Sequence, residues 1–181
     1  YIYEKKYNEA IKEINDLEER IISEMNLDEL SLNVYLGQLD FERFLSFGHS
    51  QMKEDAEESI KNFTAHLDKQ KSLRLNKDTS EDEIERISLD IDIQKEFHKI
   101  WYLILFGEFE EAAQELKSFS LLSSEYLVYD SKAMINFYKL SGYLNLMSGN
   151  IDASISFYDQ IPREVLDSDN YQLYFYALAL S

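Results

Sequence analysis

The sequence predicts an all-α fold, and three features of the 181-residue chain lead to this prediction. The chain contains five Gly and one Pro, so few positions interrupt regular structure. The long intervals between these breaks are rich in Glu, Lys, Leu and Ala, which form helices readily. Apolar residues within the intervals recur at spacings of three and four, the period of an amphipathic helix. Residues 89–94 alternate as a strand would, but no second strand with turn residues lies nearby to pair with them, and we assign them to a helix.

The first part of the chain predicts three helices. The first covers residues 7–25 and carries one apolar stripe. Asn26, three residues before Glu29, has the form of a capping box for a second helix over 28–47, which Gly48 ends. This second helix is apolar around most of its circumference, so it must be contacted on two sides as an inner helix. A third helix is predicted over 53–69, and like the first it carries a single apolar stripe.

The remaining chain predicts a loop followed by five helices. Residues 71–80 are polar and are predicted to form a loop. Ser80 and Glu83 form a capping box for a long helix that ends near Phe106, before Gly107. Four further helices are predicted over 109–119, over 124–147 up to Gly149, over 151–160 up to Pro162, and from 170 to the end of the sequence.

The length predicts a single helical domain over residues 1–181. A chain of this size buries enough surface to fold without a metal or disulfide. The sequence begins with Tyr1 rather than Met and ends in an apolar helical stretch with no cap after it. We interpret it as an excerpt of a longer protein, and we expect that the exposed terminal helix can mediate self-association.

Charge and composition exclude several functions. Asp and Glu number 35 against 18 Lys and Arg, and a net charge of −17 repels the phosphate backbone of nucleic acids. The apolar runs 100–106 and 173–180 are seven and eight residues long, whereas a membrane span needs about 20 residues. Cys is absent, which excludes disulfides and thiolate zinc sites but does not decide the compartment, for which the cytoplasm is slightly favoured. We expect a protein or peptide partner of basic or amphipathic character.

No residue pattern indicates an enzyme. His49, His66 and His98 are isolated from one another in sequence and match no zinc motif, so we expect solvated or core roles for them. Asp90 and Asp92 diverge by about 200° on a helix and cannot converge on a metal ion. The glycines are scattered and form no phosphate-binding loop. We therefore expect no catalytic residues, no metal and no cofactor.

A local pattern occurs three times, at residues 6–10, 107–112 and 149–154. In each, a break or turn is followed by a large residue, two residues that are polar except for Ala153, and a small residue, which lets two antiparallel helices approach closely. The chain in this respect resembles tetratricopeptide-repeat proteins, whose helix-turn-helix unit carries a Gly-x-Tyr/Phe-x-x-Ala signature at the turn. The match is good at 107–112 and fair at 149–154, where Gly142 and Tyr158 support it, whereas 6–10 lacks the glycine.

The resemblance implies antiparallel helical hairpins stacked as a right-handed solenoid over most of the chain. The small residues Ala10, Ser59, Ala112 and Ser154 lie 49, 53 and 42 residues apart, whereas the family's repeat is about 34 residues. The chain is therefore similar to a divergent array with long helices, as in bacterial peptide-sensing regulators or other tetratricopeptide-like scaffolds.

The resemblance also implies a binding groove lined by the first helix of each pair. Carrying the family's positions backwards from Gly107 and Gly149 places six residues in that groove: Gln94, Phe97, Trp101, Asn136, Lys139 and Tyr143. The Asn and Lys of the second set resemble part of the clamp that holds a peptide's terminal carboxylate in some family members. An alternative is that Phe97 and Trp101 belong to the core between neighbouring helices.

We hence expect a non-enzymatic scaffold module that binds a protein or peptide on its concave face. The alternative is a ligand-sensing regulatory domain, the short-peptide receptor portion of a larger regulator.

Overall fold

The structure, a computed structural model, describes residues 2–76, 78–130 and 132–181. All regular secondary structure in these ranges is helical, so the all-α prediction is confirmed. The helices are α1 (Ile2–Glu24), α2 (Glu29–His49), α3 (Lys53–Arg74), α4 (Glu81–Leu105), α5 (Phe109–Tyr126), α6 (Met134–Met147), α7 (Ile151–Tyr158), α8 (Arg163–Leu166) and α9 (Asn170–Leu180). They form two compact units, Tyr1–Ile91 and Asp92–Ser181.

In the first unit, α2 packs against both α1 and α3. This confirms the inner helix predicted from its apolar circumference. Phe44 and Leu45 of α2 are buried, and Phe63 and Leu67 of α3 form a core cluster with Ile91 of α4. Burial of these large apolar side chains is the main stabilising contribution to the unit.

In the second unit, α5 packs on α6, α6 packs on α7, and α9 contacts α6, α7 and α8. Aromatic rings contact one another in series through the core of this unit. The Trp101 and Tyr143 ring centroids are 5.4 Å apart, and those of Tyr143 and Phe175 are 4.4 Å apart in a stacked arrangement. Aromatic pairs prefer such arrangements, which stabilise the core beyond the burial of apolar area alone.

Two of the predicted glycine turns are confirmed. Gly107 and Gly149 have φ of 76° and 79°, the left-handed conformation that glycine adopts without steric cost. At the first turn the Glu108 amide donates to the Leu103 carbonyl at 2.8 Å, which satisfies a free carbonyl at the end of α4.

The third turn differs from the prediction that Gly48 ends the second helix. Gly48 is buried within α2, which continues to His49. The left-handed residue is Gln51, with φ of 60°, and the following amide, that of Met52, donates to the Phe47 carbonyl at 2.9 Å. The hydrogen bonding matches the glycine turns, so the geometry is the same although the residue is not glycine.

Small residues allow close packing in the α6–α7 hairpin. A Cβ atom added to Gly142 would lie 2.8 Å from two ring carbons of Tyr158. The Ser154 hydroxyl donates to the Gly142 carbonyl at 2.8 Å across the same contact. The helices α6 and α7 thus approach each other closely, as the pattern of small residues at 149–154 predicts.

The N-cap predicted for α2 is wrong by two residues. Asp28, not Asn26, is the cap: its carboxylate accepts from the Ser31 amide at 2.9 Å and from the Ser31 hydroxyl at 2.7 Å. The hydrogen bonds from the Ser31 amide and hydroxyl lower the pKa of Asp28. The charged carboxylate also interacts favourably with the positive end of the helix dipole. The predicted cap of α4 is in place, because Ser80 Oγ accepts from the Glu83 amide at 3.3 Å.

Other boundaries also shift, and the short helix α8 lies where no helix is predicted. Helix α3 runs to Arg74, so the loop expected over 71–80 begins at Leu75, and Lys77 lies outside the described residues. The helix predicted over 124–147 is wrong, because α5 continues to Tyr126 and α6 begins at Met134. Between them the Asp130 side chain accepts from the Lys132 amide at 2.8 Å, a local turn that competes with helix formation.

Candidate functional site

A cleft of ≈470 Å³ lies among α1, α2 and α3 in the first unit. Its charged lining comes from all three helices: Glu18 of α1, Asp40 and Arg43 of α2, and Asp55, Glu58 and His66 of α3. Four carboxylates therefore face one guanidinium and one imidazole. We call this site the acidic cleft.

Arg43 is the centre of the hydrogen bonding in the acidic cleft. Its Nη1 lies 2.8 Å from Asp40 Oδ1, and its Nη2 forms an ion pair with Glu18 of α1. The Asn15 side-chain oxygen accepts from both Nε and Nη2, at 3.1 and 3.0 Å. All three guanidinium nitrogens are thus engaged within the protein, and Arg43 links α1 to α2 rather than offering its charge to a ligand.

Asp40 is the most deeply buried carboxylate of the cleft, with 5% of its surface exposed. Burial raises its pKa, while the hydrogen bond and charge of Arg43 oppose this shift. Its second oxygen lies 3.4 Å from His66 Nε2, and His66 Nδ1 lies 2.9 Å from the side-chain oxygen of Asn33. The pair therefore connects α2 to α3 and fixes the orientation of the imidazole.

The outer carboxylates of the cleft differ from Asp40 because they are open to solvent. Asp55 and Glu58 lie on one face of α3, three residues apart, and both are exposed. No basic side chain among the described residues is paired with either of them. An ammonium or guanidinium group that entered the cleft would meet these two carboxylates first.

Within the described ranges, no set of three or more His, Asp or Glu side chains is arranged to hold a metal ion. None of the helices described combines the length and apolar character that crossing a membrane requires.

The three groove residues predicted on α4 have unequal exposure. Gln94 is half-buried, and its carbonyl accepts from the His98 ring. Phe97 is also half-buried, and its ring centroid lies 5.4 Å from that of Trp101. Trp101 is only 4% exposed and packs in the core of the second unit.

The three groove residues predicted on α6 are likewise mixed. Tyr143 is 2% exposed, and burial raises its pKa. Lys139 Nζ forms an ion pair with Asp169 at 2.7 Å, whereas Asn136 is half-buried. The structure thus brings Trp101 and Tyr143 together as packing residues, and binding of a partner by the six residues stays a prediction.

The acidic cleft could not be predicted from the sequence, because the chain has 35 Asp and Glu residues and no pair of them stands out as a site. One signal could have found part of it: Asp40 and Arg43, three residues apart, are charged positions on a helix that was expected to be contacted on two sides. Charged groups on such a helix must be paired or lie beside a cleft. His66 carried no comparable signal, because its contact with Asp40 depends on how α3 packs.

Comparison of the chain with protein-family models, with curated proteins and with solved structures finds no match.

Proposed function

We propose that this chain is a non-enzymatic protein-interaction module that binds a basic segment of a partner in the acidic cleft. The observation that carries the proposal is the pair of exposed carboxylates, Asp55 and Glu58, beside a concave space of ≈470 Å³. Among the described residues, the guanidinium that lines this space is that of Arg43, and it is already engaged. A Lys or Arg side chain complements this arrangement in charge and hydrogen bonding.

The charge of the whole chain supports the same kind of partner. At −17, the protein attracts cationic surfaces over distances comparable to the Debye length, which raises the rate of encounter. The partly buried contacts of Asp40 and Arg43 with Glu18 and His66 support the cleft by linking α2 to α1 and to α3. The cleft walls are thereby organised before a partner arrives, which reduces the entropic cost of binding.

We also propose that the hairpins are tetratricopeptide-like and that they belong to a divergent solenoid array. The left-handed turns at Gly107 and Gly149 and the close contact between Gly142 and Tyr158 support this proposal. A concave face that includes Gln94, Asn136 and Lys139 would then offer a second surface to a protein partner.

A specific observation favours the alternative of a ligand-sensing regulatory domain. Lys139 already holds a carboxylate, that of Asp169, whose other oxygen accepts from the Gln172 amide at 3.1 Å as the N-cap of α9. A peptide's terminal carboxylate that replaced Asp169 at Lys139 would weaken this cap and so couple binding to the start of α9.

The acidic cleft can be tested with a fluorescein-labelled peptide of Lys and Leu residues arranged as an amphipathic helix. We expect saturable binding by fluorescence anisotropy and no binding of a counterpart in which Glu replaces Lys. In the double variant Asp55→Asn, Glu58→Gln the dissociation constant should rise roughly 3–10-fold, since each exposed charge pair contributes a modest amount.

The matched control is Asp82→Asn, Glu85→Gln, which removes two exposed carboxylates from α4 and changes the net charge equally. It should bind the Lys and Leu peptide as the unmodified protein does. Equal weakening by both double variants, or equal binding of the acidic peptide, would overturn the assignment of the cleft.

A further inference from the structure

A second cleft, of ≈320 Å³, lies among α5, α6 and α7 within the second unit. We call it the apolar cleft, because its walls are formed largely by Ala113, Leu116, Phe137 and Phe157. The Phe137 and Phe157 rings meet edge to face, with centroids 6.0 Å apart. Its volume falls within the range of small-molecule sites, which begins at about 300 Å³.

One polar group in this cleft is buried without a partner. Ser141 has no exposed surface, and its hydroxyl has no hydrogen-bond partner among the described residues. Ser154, which is equally buried on α7, does donate, to the Gly142 carbonyl. A hydroxyl that lacks a partner inside a protein is destabilising, and Ser141, which lines the cleft, carries such an unused donor.

The charge of the apolar cleft is opposite to that of the whole chain. Lys117 is the charged residue of its lining, beside the neutral polar residues Ser120, Ser141 and Asn145. The side chain of Lys117 is exposed, and no carboxylate among the described residues pairs with it. A ligand here therefore meets apolar walls, a buried hydroxyl and a positive charge.

We propose that the apolar cleft binds a small apolar carboxylate, such as an aromatic or branched aliphatic acid. The apolar body packs between Leu116 and the rings of Phe137 and Phe157. The carboxylate accepts from the Ser141 hydroxyl and is held electrostatically by the Lys117 ammonium. This site lies in a different unit from the acidic cleft and takes a ligand of opposite charge, so it does not depend on the proposed function.

The test is a titration of the full chain with 3-phenylpropanoate, followed through the backbone amide NMR signals. We expect saturable shifts centred on residues 113–120, 137–145 and 157, and binding of the neutral 3-phenylpropanamide weaker by roughly 5-fold, since one charge pair is lost. Lys117→Gln should abolish this preference for the acid. Lys61→Gln, the same change at an exposed position of α3, should retain it.

Ser141→Ala separates a binding role from a structural one. Because the hydroxyl has no partner in the free protein, the variant should be at least as stable as the unmodified chain, yet it should bind the acid roughly 5–10-fold more weakly. Ala113→Phe, at an exposed position of the lining, should block the cleft and abolish the shifts. Shifts that do not saturate, that fall outside the cleft, or that persist unchanged in the Ser141 and Ala113 variants would overturn the proposal.

Discussion

Two glycines inside helices differ in the space around them. A Cβ on Gly142 would overlap the Tyr158 ring at 2.8 Å, whereas one on Gly37 would meet the His66 Cβ at 3.4 Å, an ordinary contact. We expect Gly142→Ala to lower the free energy of unfolding by about 1–3 kcal/mol through overpacking. Gly37→Ala should raise it by up to about 1 kcal/mol, because Ala favours a helix. Urea unfolding of both variants checks this, and equal effects would show that the α6–α7 contact is looser than described.

Gln51 occupies a conformation that suits glycine. Its φ of 60° has a steric cost, and its side-chain amide donates only a long bond, 3.3 Å, to the Gly48 carbonyl. We expect Gln51→Gly to raise the free energy of unfolding by about 1 kcal/mol. Gln51→Ala keeps the steric cost of the left-handed conformation and loses the side-chain hydrogen bond, so it should be slightly destabilising. The midpoints of urea denaturation distinguish the two, and a destabilised glycine variant would contradict the left-handed turn.

His98 makes the fold sensitive to mild acid. Burial lowers its pKa to about 4, so the unfolded chain, with a pKa near 6.5, binds the proton more readily. The contribution of neutral His98 to the free energy of unfolding is fully present above pH 6.5, and it is lost as the pH falls toward 4. His98→Gln retains a donor for the Gln94 carbonyl but does not titrate.

Between about pH 7.5 and pH 5, the variant should therefore lose about 1–2 kcal/mol less unfolding free energy than the unmodified protein. Chemical denaturation at the two pH values measures this difference. Identical losses would mean that the ring of His98 is as well solvated in the folded protein as in the unfolded chain.

At the scale of the element, the start of α2 depends on Asp28. Its carboxylate holds both the amide and the hydroxyl of Ser31, whereas Asn26 lies outside the helix. We expect Asp28→Ala to lower the thermal midpoint and Asn26→Ala to leave it unchanged. Circular dichroism on heating checks both, and the opposite order would restore Asn26 as the cap.

The helices could be predicted from sequence where apolar periodicity and turn residues agreed, as at Gly107 and Gly149. The turn at Gln51 could not, because glutamine is not a residue type that favours the left-handed conformation that it adopts there. The break between α5 and α6 was missed for a related reason. Residues 126–129 are aromatic and aliphatic and suit a helix locally, yet α5 ends at Tyr126, and the turn around Asp130 follows before α6 begins.

The candidate sites were harder to predict than the helices. The contact between Asp40 and His66 joins α2 to α3 across 26 positions of sequence, and a single sequence does not show which helix faces which. Trp101 and Tyr143 were expected in a groove, but large aromatic side chains on packed helices bury the most apolar area as core. The buried Ser141 hydroxyl carries no sequence signal at all.

At the scale of the whole molecule, the net charge of −17 predicts that electrostatic attraction raises the association rate of a basic partner. Between about 50 mM and about 300 mM salt the association rate of the Lys and Leu peptide should fall steeply, whereas its dissociation rate should change little. Stopped-flow fluorescence measures both rates. An association rate that is indifferent to salt would contradict electrostatic steering.

The most direct test of the acidic cleft is a map of backbone amide chemical shifts during titration of the full chain with the Lys and Leu peptide. The largest changes should fall on α1, α2 and α3 around Asp55 and Glu58, and they should diminish in the Asp55→Asn, Glu58→Gln variant. Changes confined to the second unit, or a map that is the same in this variant, would contradict binding in the acidic cleft.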